Sequence, residues 1–150
     1  MLKPLTMSDG RSIPVQGFGV YQIPADQTAD AVAHAIEAGY RHIDTAQAYF
    51  NEEAVGEGIR RSDIDRDQLF LTTKVWLDNY GEYATYESVK TSLDKLGTDY
   101  VDLMLLHQPF NDVYGAWRGL ERAQKEGLIR SIGVSNFTPA RVVLQDFTGV

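Results

Sequence analysis

The sequence has no cysteine, fewer basic than acidic residues, and no long hydrophobic run. The absence of cysteine from all 150 residues excludes disulfides and thiolate metal sites, and it is compatible with a reducing compartment. A net charge of −7 makes a surface for nucleic acid unfavourable, so we expect no nucleic-acid partner. The longest apolar run, Val101–Leu106, is too short to span a bilayer, so we expect no membrane partner. The segment Met1–Gly10 has no apolar core typical of a secretory signal, and we expect a cytoplasmic location.

What is present is typical of one globular unit. Hydrophobic residues make up 43% of the chain and charged residues 23%, which is ordinary for a folded domain. No linker or low-complexity tract interrupts the sequence, so we expect a single domain over residues 1–150.

An opening hairpin and an alternation of strands and helices are predicted along the chain. Asp9 and Gly10 lie between short apolar segments, which is a strong hairpin signal. Strands are predicted at 17–20, 42–45, 69–75, 100–107 and 129–134, and helices at 26–38, 51–61, 85–96, 112–125 and from Thr138 onward. Asn51 is predicted to cap the second helix, and Gly39 and Gly97 to end the first and third. Residues 147–150 resemble the lead-in to a sixth strand.

This order predicts an α/β fold with a parallel sheet covered by helices. Two architectures remain from the pattern alone, a doubly wound open sheet and part of a (β/α)8 barrel. A doubly wound fold that binds a dinucleotide needs G-x-G-x-x-G at its first turn. Gly17 and Gly19 supply the first two glycines, but Gln22 stands at the third position. We therefore reject that motif.

Polar residues occupy the carboxyl ends of four predicted strands, which places them at one rim of a parallel array. They are Asp44, Lys74, His107 and the pair Ser135–Asn136. Each alone is more typical of a structural or solvated residue, but their repeated placement favours a rim site. His34, His42 and His107 form no ligand pattern with carboxylates at the rim, so no metal site is predicted.

Proton transfer is the chemistry that this set favours. Lys74 paired with Asp44 would place a cation at the rim, and a cation beside a tyrosine hydroxyl favours the phenolate. Tyr21, Tyr49 and Tyr80 are the candidate acids. Tyr49 is the best placed because it follows the second strand directly, although a packed loop aromatic would give the same pattern.

Four segments in order resemble the aldo-keto reductase family. They are Gly39-Tyr40-Arg41-His42-Ile43-Asp44-Thr45-Ala46 with Tyr49, Asn51-Glu52 and Val55-Gly56 after it, Leu71–Trp76, Tyr100–Pro109, and Gly127–Phe137. The opening hairpin is similar to the one with which the family closes the bottom of its barrel. The resemblance implies a partial (β/α)8 TIM barrel in which about five of eight βα units are present.

The resemblance also implies roles for single residues in the reduction of an aldehyde or ketone by NADPH. Tyr49 would donate the proton, Lys74 paired with Asp44 would tune it, and His107 would orient the carbonyl. Gly19, Val20, Asp44, Ser135 and Asn136 would contact the cofactor. Tyr21, Tyr49, Trp76, His107 and Gln108 would line the substrate pocket, where Gln108 replaces the tryptophan of many members.

A complete barrel takes about 250 residues, so later strands that complete the family's cofactor site are not assigned here. Five strands leave two open edges, and we expect this chain to associate with itself or with a C-terminal piece, and the full-length parent to be a monomer or weak dimer. Two other functions stay open at this stage, a binding module and an assembly subunit on the same scaffold.

Overall fold

A computed structural model describes residues 3–144 of the chain, and the strand lead-in predicted at 147–150 lies outside the described residues. Within the described residues there are seven strands: β1 (Leu5–Thr6), β2 (Ser12–Ile13), β3 (Phe18–Gly19), β4 (His42–Asp44), β5 (Phe70–Val75), β6 (Val101–Leu106) and β7 (Ile129–Val134). Five helices accompany them: α1 (Ala25–Glu37), α2 (Glu52–Arg61), α3 (Glu82–Leu96), α4 (Val113–Lys125) and α5 (Pro139–Leu144). Three short 3-10 turns lie at Gln47–Tyr49, Arg66–Gln68 and Leu77–Asn79.

The order of the strands decides between the two architectures. β3 to β7 form a parallel sheet in which spatial order equals chain order, β3-β4-β5-β6-β7. A doubly wound sheet reverses its order at a switch point, whereas a barrel adds each strand on the same side. The predicted (β/α)8 type is therefore the one observed, with five strands among the described residues.

The opening hairpin lies on the interior side of this curved sheet. β1 and β2 pair antiparallel around the predicted turn. At the tip, the carboxylate of Asp9 accepts a hydrogen bond of 2.5 Å from the hydroxyl of Ser131 on β7, although the hairpin leads directly into β3 at the opposite edge. One short hairpin reaches both edges because the sheet curves over it.

Alternation along the strands separates a helix-covered core from the interior of the curve. Ile43 on β4, Leu71 and Val75 on β5 and Met104 on β6 are at most 1% exposed and form the apolar layer beneath the helices. The residues between them, including Asp44 and Lys74, lie on the other face. The rim groups therefore share the interior face of neighbouring strands.

Asp102 is a charged residue inside the most apolar strand, and the structure explains its position. Its carboxylate accepts hydrogen bonds of 2.9 Å from the backbone N–H of Leu71 and 2.8 Å from the guanidinium of Arg66. A buried carboxylate is tolerated when it is paired and hydrogen-bonded in this way. Asp102 thus ties β6 to β5 and to the 3-10 turn before it.

Most element boundaries agree with the sequence patterns, with two differences. α3 begins at Glu82, three residues before the predicted start, because Gly81 adopts a φ of 128° that ends the preceding turn. Asn51 occupies the residue before α2, as predicted, but its side chain makes no capping hydrogen bond. Gly39 and Gly97 adopt positive φ at the ends of α1 and α3, as predicted.

The close packing of α1 and α2 depends on one glycine and gives a first prediction. A Cβ at Gly58 would lie 2.6 Å from the carbonyl oxygen of Ala29 and 2.7 Å from Cβ of Val32. We expect Gly58→Ala to lower the free energy of unfolding by about 1–3 kcal/mol, because overpacking outweighs the better helix propensity of alanine. Urea denaturation measures this, with Glu53→Ala on the exposed side of α2 as control. A stabilised Gly58→Ala protein would contradict the packing.

Candidate active site

Lys74 lies at the centre of the rim site, near the end of β5. Only 7% of the residue is exposed, and its ammonium group donates three hydrogen bonds. The acceptors are Oδ1 of Asp44 at 2.7 Å, the backbone oxygen of Thr45 at 2.9 Å and the hydroxyl of Tyr49 at 3.3 Å. All three donor positions of the ammonium are used, so its direction is fixed.

Tyr49 ends the 3-10 turn Gln47–Tyr49 that follows β4. The backbone N–H of Tyr49 closes the turn by donating a hydrogen bond of 3.0 Å to the carbonyl oxygen of Ala46. The next residue, Phe50, has a φ of 57°. The Tyr49 ring lies 5.0 Å from the Tyr21 ring and 5.8 Å from the His107 ring. A positive charge 3.3 Å from the phenol oxygen stabilises negative charge that develops there when the proton leaves.

His107 follows β6 and faces Tyr49 across the site. Burial lowers the pKa of His107 below its ordinary value of 6.5, and the charge of Lys74 lowers it further, while Asp44 opposes both. The imidazole is therefore neutral at neutral pH. Its Nδ1 is buried and has no hydrogen-bond partner among the described residues. A buried N–H without an acceptor costs more free energy than a buried lone pair without a donor. We therefore assign the proton of the neutral His107 ring to Nε2.

Trp76 and Tyr80, on the loop after β5, complete one wall. The Trp76 ring meets the His107 ring edge to face at 5.2 Å. The hydroxyl of Tyr80 donates to the backbone oxygen of Gln108 at 2.7 Å and accepts from its N–H at 3.1 Å. Burial raises the pKa of Tyr80, so this tyrosine is the weaker candidate acid. Gln108 is held at the rim through its backbone.

Ser135 and Asn136 lie directly after β7. Asn136 adopts a φ of 62°, and its Nδ2 donates to the backbone oxygen of His107 at 3.0 Å. Asparagine adopts this left-handed backbone more readily than most residues, and the amide nitrogen also donates to Oγ of Ser135 at 3.3 Å. A hydroxyl donor next to an amide acceptor matches the acceptor and donor of a primary carboxamide, so the pair fits a nicotinamide.

At the other edge, Gly19 and Val20 differ in what they offer. Gly19 pairs with Asp44, and a Cβ there would meet no atom within 4 Å, so this backbone borders open space. Val20 is fully buried, and its backbone N–H and C=O are both hydrogen-bonded. The cofactor contacts predicted for these two residues stay predictions.

Asn51 has a structural task that the sequence patterns missed. Its Oδ1 accepts from the hydroxyl of Thr45 at 3.0 Å, and its Nδ2 donates to the backbone oxygen of Val20 at 3.1 Å. The side chain therefore joins β3 to the segment after β4. Because these partners occupy the amide, it is unavailable to cap α2.

Glu52 forms a second polar group beneath the rim. Only 3% exposed, it accepts a hydrogen bond of 2.6 Å from the hydroxyl of Thr73 and one of 3.3 Å from the hydroxyl of Ser92. Burial raises the pKa of Glu52, and the two hydroxyl donors only partly oppose this. Thr73 precedes Lys74, so Glu52 holds the end of β5 from its helix-covered side.

Comparison with known proteins assigns the family. The model of the aldo/keto reductase family matches residues 16–145. The chain belongs to the aldo/keto reductase family. The predicted family and the predicted (β/α)8 barrel type are both confirmed.

Aldo/keto reductases of known sequence and structure resemble the chain closely. It is 47% identical to an aldo-keto reductase of Mycobacterium sp. (strain JLS), covering 97% of this chain and 54% of the relative. It superposes on the aldo/keto reductase of Brucella melitensis with a TM-score of 0.94 and 46% identity, covering 100% of this chain and 60% of that one. A Bombyx mori aldo-keto reductase in complex with NADP gives a TM-score of 0.92 at 36% identity, covering 98% of this chain and 54% of that one. The chain spans about half the length of the curated relatives it matches.

The remaining predictions concern the membrane, the cellular location and the association of this chain. No helix among residues 3–144 is long and apolar enough to cross a membrane. The predicted cytoplasmic location and the predicted association of the chain stay predictions.

The buried carboxyl of Glu52 gives a second prediction. Its folded-state pKa is raised above the ordinary value of 4.5, so its contribution to stability is present below about pH 4.5 and is lost as the pH rises through the folded-state pKa. Glu52→Gln removes this titration. We expect the free energy of unfolding of Glu52→Gln, relative to the unmutated protein, to increase as the pH rises from about 4.5 through the folded-state pKa of Glu52.

Urea denaturation at several pH values measures the difference. Glu53→Gln is the matched control, because Glu53 is the next residue on α2 and is exposed. A Glu52→Gln difference that is independent of pH would contradict the assignment.

Proposed function

We propose that the protein to which this chain belongs reduces an aldehyde or ketone to an alcohol with NADPH, and that Tyr49 is the proton donor. One observation carries the proposal. The buried ammonium of Lys74 contacts Asp44 and the Tyr49 hydroxyl at once, at 2.7 and 3.3 Å. This arrangement places a positive charge beside the Tyr49 hydroxyl, at the rim of the sheet.

Tyr49 gives its proton to the carbonyl oxygen, and the same hydroxyl accepts the proton in alcohol oxidation. Lys74 stabilises the charge left on the phenol oxygen, and Asp44 keeps Lys74 in place by pairing with it. Placing the charge beforehand avoids the cost of reorganising solvent during the step. Asp44 is partly exposed, with 31% of its side chain accessible, so it acts at the edge of the buried site.

His107 orients the carbonyl together with Tyr49, whose ring it contacts. With its proton on Nε2 and its Nδ1 buried, the neutral imidazole can donate one hydrogen bond, to an oxygen that Tyr49 also reaches. Two donors then converge on one oxygen, which fixes the carbonyl plane for attack at carbon.

Ser135 and Asn136 would hold the carboxamide of the cofactor, since a hydroxyl and an amide match its acceptor and donor. When bound, NADPH supplies the hydride to the carbonyl carbon. At the other edge of the sheet, the backbone of Gly19 borders open space. The NADP complex of the Bombyx mori relative supports a nicotinamide cofactor for this site.

The substrate class proposed here is a small carbonyl compound. Relatives 42–43% identical to this chain are named methylglyoxal reductase, from Escherichia coli, and 2,5-diketo-D-gluconic acid reductase B, from Corynebacterium sp.. Both names describe reduction of a carbonyl group. Tyr21, Trp76 and Gln108 would form the pocket walls, and Gln108 presents an amide where a larger aromatic would narrow the pocket.

The proposed role of Tyr49 gives the third prediction. We expect Tyr49→Phe to reduce aldehyde-dependent NADPH oxidation by roughly 10²-fold or more, because the general acid is removed. Binding of NADPH, followed by quenching of tryptophan fluorescence, should stay within about threefold, since phenylalanine keeps the ring and Ser135 and Asn136 are intact.

Tyr83→Phe is the matched control, because Tyr83 is a tyrosine on α3 that is 70% exposed. Turnover by Tyr49→Phe at the parent rate would overturn the assignment of the proton donor. Failure of the full-length protein to bind NADPH at millimolar concentration would overturn the proposed reaction.

A further inference from the structure

Gln47 opens the same 3-10 turn that Tyr49 ends, and its side chain points away from the reaction site toward the loop after β5. Its Oε1 accepts from the backbone N–H of Trp76 and from Nδ2 of Asn79, both at 2.9 Å. Its Nε2 donates to the backbone oxygen of Ser88 at 3.3 Å and to the hydroxyl of Ser92 at 3.1 Å. One amide thus joins its own turn to the loop after β5 and to α3, through partners 29 to 45 residues from Gln47 in sequence.

The orientation of this amide is unambiguous. The N–H of Trp76 can only donate and the carbonyl of Ser88 can only accept, so oxygen must face the loop and nitrogen must face α3. All four hydrogen-bonding positions of the amide are filled. A fully satisfied, half-buried amide holds its neighbours in one arrangement, whereas its removal leaves several of them unpaired.

The loop that Gln47 holds carries the aromatic wall of the site. Trp76 is the first residue after β5, and its ring meets the ring of His107 at 5.2 Å. Asn79 is held from its other side as well, because its backbone oxygen accepts from the hydroxyl of Thr85 at 2.8 Å. Gln47 therefore connects the turn that carries Tyr49 directly to the residue that covers His107.

We propose that Gln47 is a positioning residue that fixes Trp76 against His107 and thereby sets the size of carbonyl substrate that the pocket accepts. This inference rests on the proposed reductase function for its substrate part. Its structural part, the contact between Trp76 and His107, stands independently of catalysis. Gln47 contacts no reacting atom, so it acts only through the loop that carries Trp76.

Trp76 fluorescence in a Trp117→Phe background tests the structural part. A protonated imidazole in contact with an indole quenches its emission, so Trp76 emission should fall as the pH decreases through the lowered pKa of His107, below 6.5. We expect Gln47→Met, which keeps length and apolar volume, to lose at least about half of this amplitude. Gln47→Glu, which keeps the acceptor for Trp76 and Asn79 but not the donors to α3, should lose less.

Gln27→Met on the exposed face of α1 is the matched control and should retain the full amplitude. Circular dichroism checks that each variant is folded, and Gln47→Glu keeps the test available if Gln47→Met unfolds. An unchanged titration in both Gln47 variants overturns the proposal. A titration that survives His107→Asn also overturns it, because Trp76 would then not lie against His107.

Steady-state kinetics test the substrate part with a small and an aromatic aldehyde. In Gln47→Met we expect the KM ratio of the two substrates to change by roughly 3- to 10-fold, with kcat for the small aldehyde within about twofold. A merely structural role would lower kcat for both substrates equally, and that result overturns the specificity role. Retained turnover in Tyr49→Phe would instead count against the proposed function and leave the fluorescence result intact.

Discussion

The charge of Lys74 is the constraint on which the rest of the site depends. An ammonium group that is removed from water costs several kcal/mol unless charge and hydrogen bonds replace its hydration. Here Asp44 supplies the charge, and Thr45 and Tyr49 supply the other two acceptors. These three residues come from β4 and the segment after it, whereas Lys74 comes from β5. The pairing of the two strands and the position of Tyr49, the proposed proton donor, both follow from the need to replace the hydration of Lys74.

Two polar groups behind the rim maintain that arrangement. Asn51 joins β3 to the segment after β4, and Glu52 holds Thr73, the neighbour of Lys74, from the helix-covered side. Gln47 adds the connection to the loop of Trp76. The three residues lie within six consecutive positions of the chain, but each binds a different part of the structure. The short segment after β4 therefore organises the site as well as supplying Tyr49.

Patterns in the sequence predicted the elements well because these depend on local chemistry. Glycines with positive φ end α1 and α3 where expected, and short apolar runs without clean polar alternation mark the buried parallel strands. The start of α3 was less predictable, because Gly81 ends the preceding turn through a backbone angle that no apolar pattern reports. Asn51 was correctly placed before α2, but its side chain has tertiary partners. Capping is a local preference that a stronger buried hydrogen-bond network overrides.

The sequence by itself determined which residues stand at the strand ends, because the parallel α/β pattern puts every carboxyl end on one rim. The strand and helix pattern alone could not decide between an open and a curved sheet, although the family resemblance implied the barrel. That was decided by the strand order and by the hydrogen bond between Asp9 and Ser131, 122 residues apart. Nor did it indicate what Gln47 and Glu52 bind, since their partners are distant in the chain. Hydrogen bonds between distant residues exist only once packing has brought them together, so only the tertiary structure assigns them.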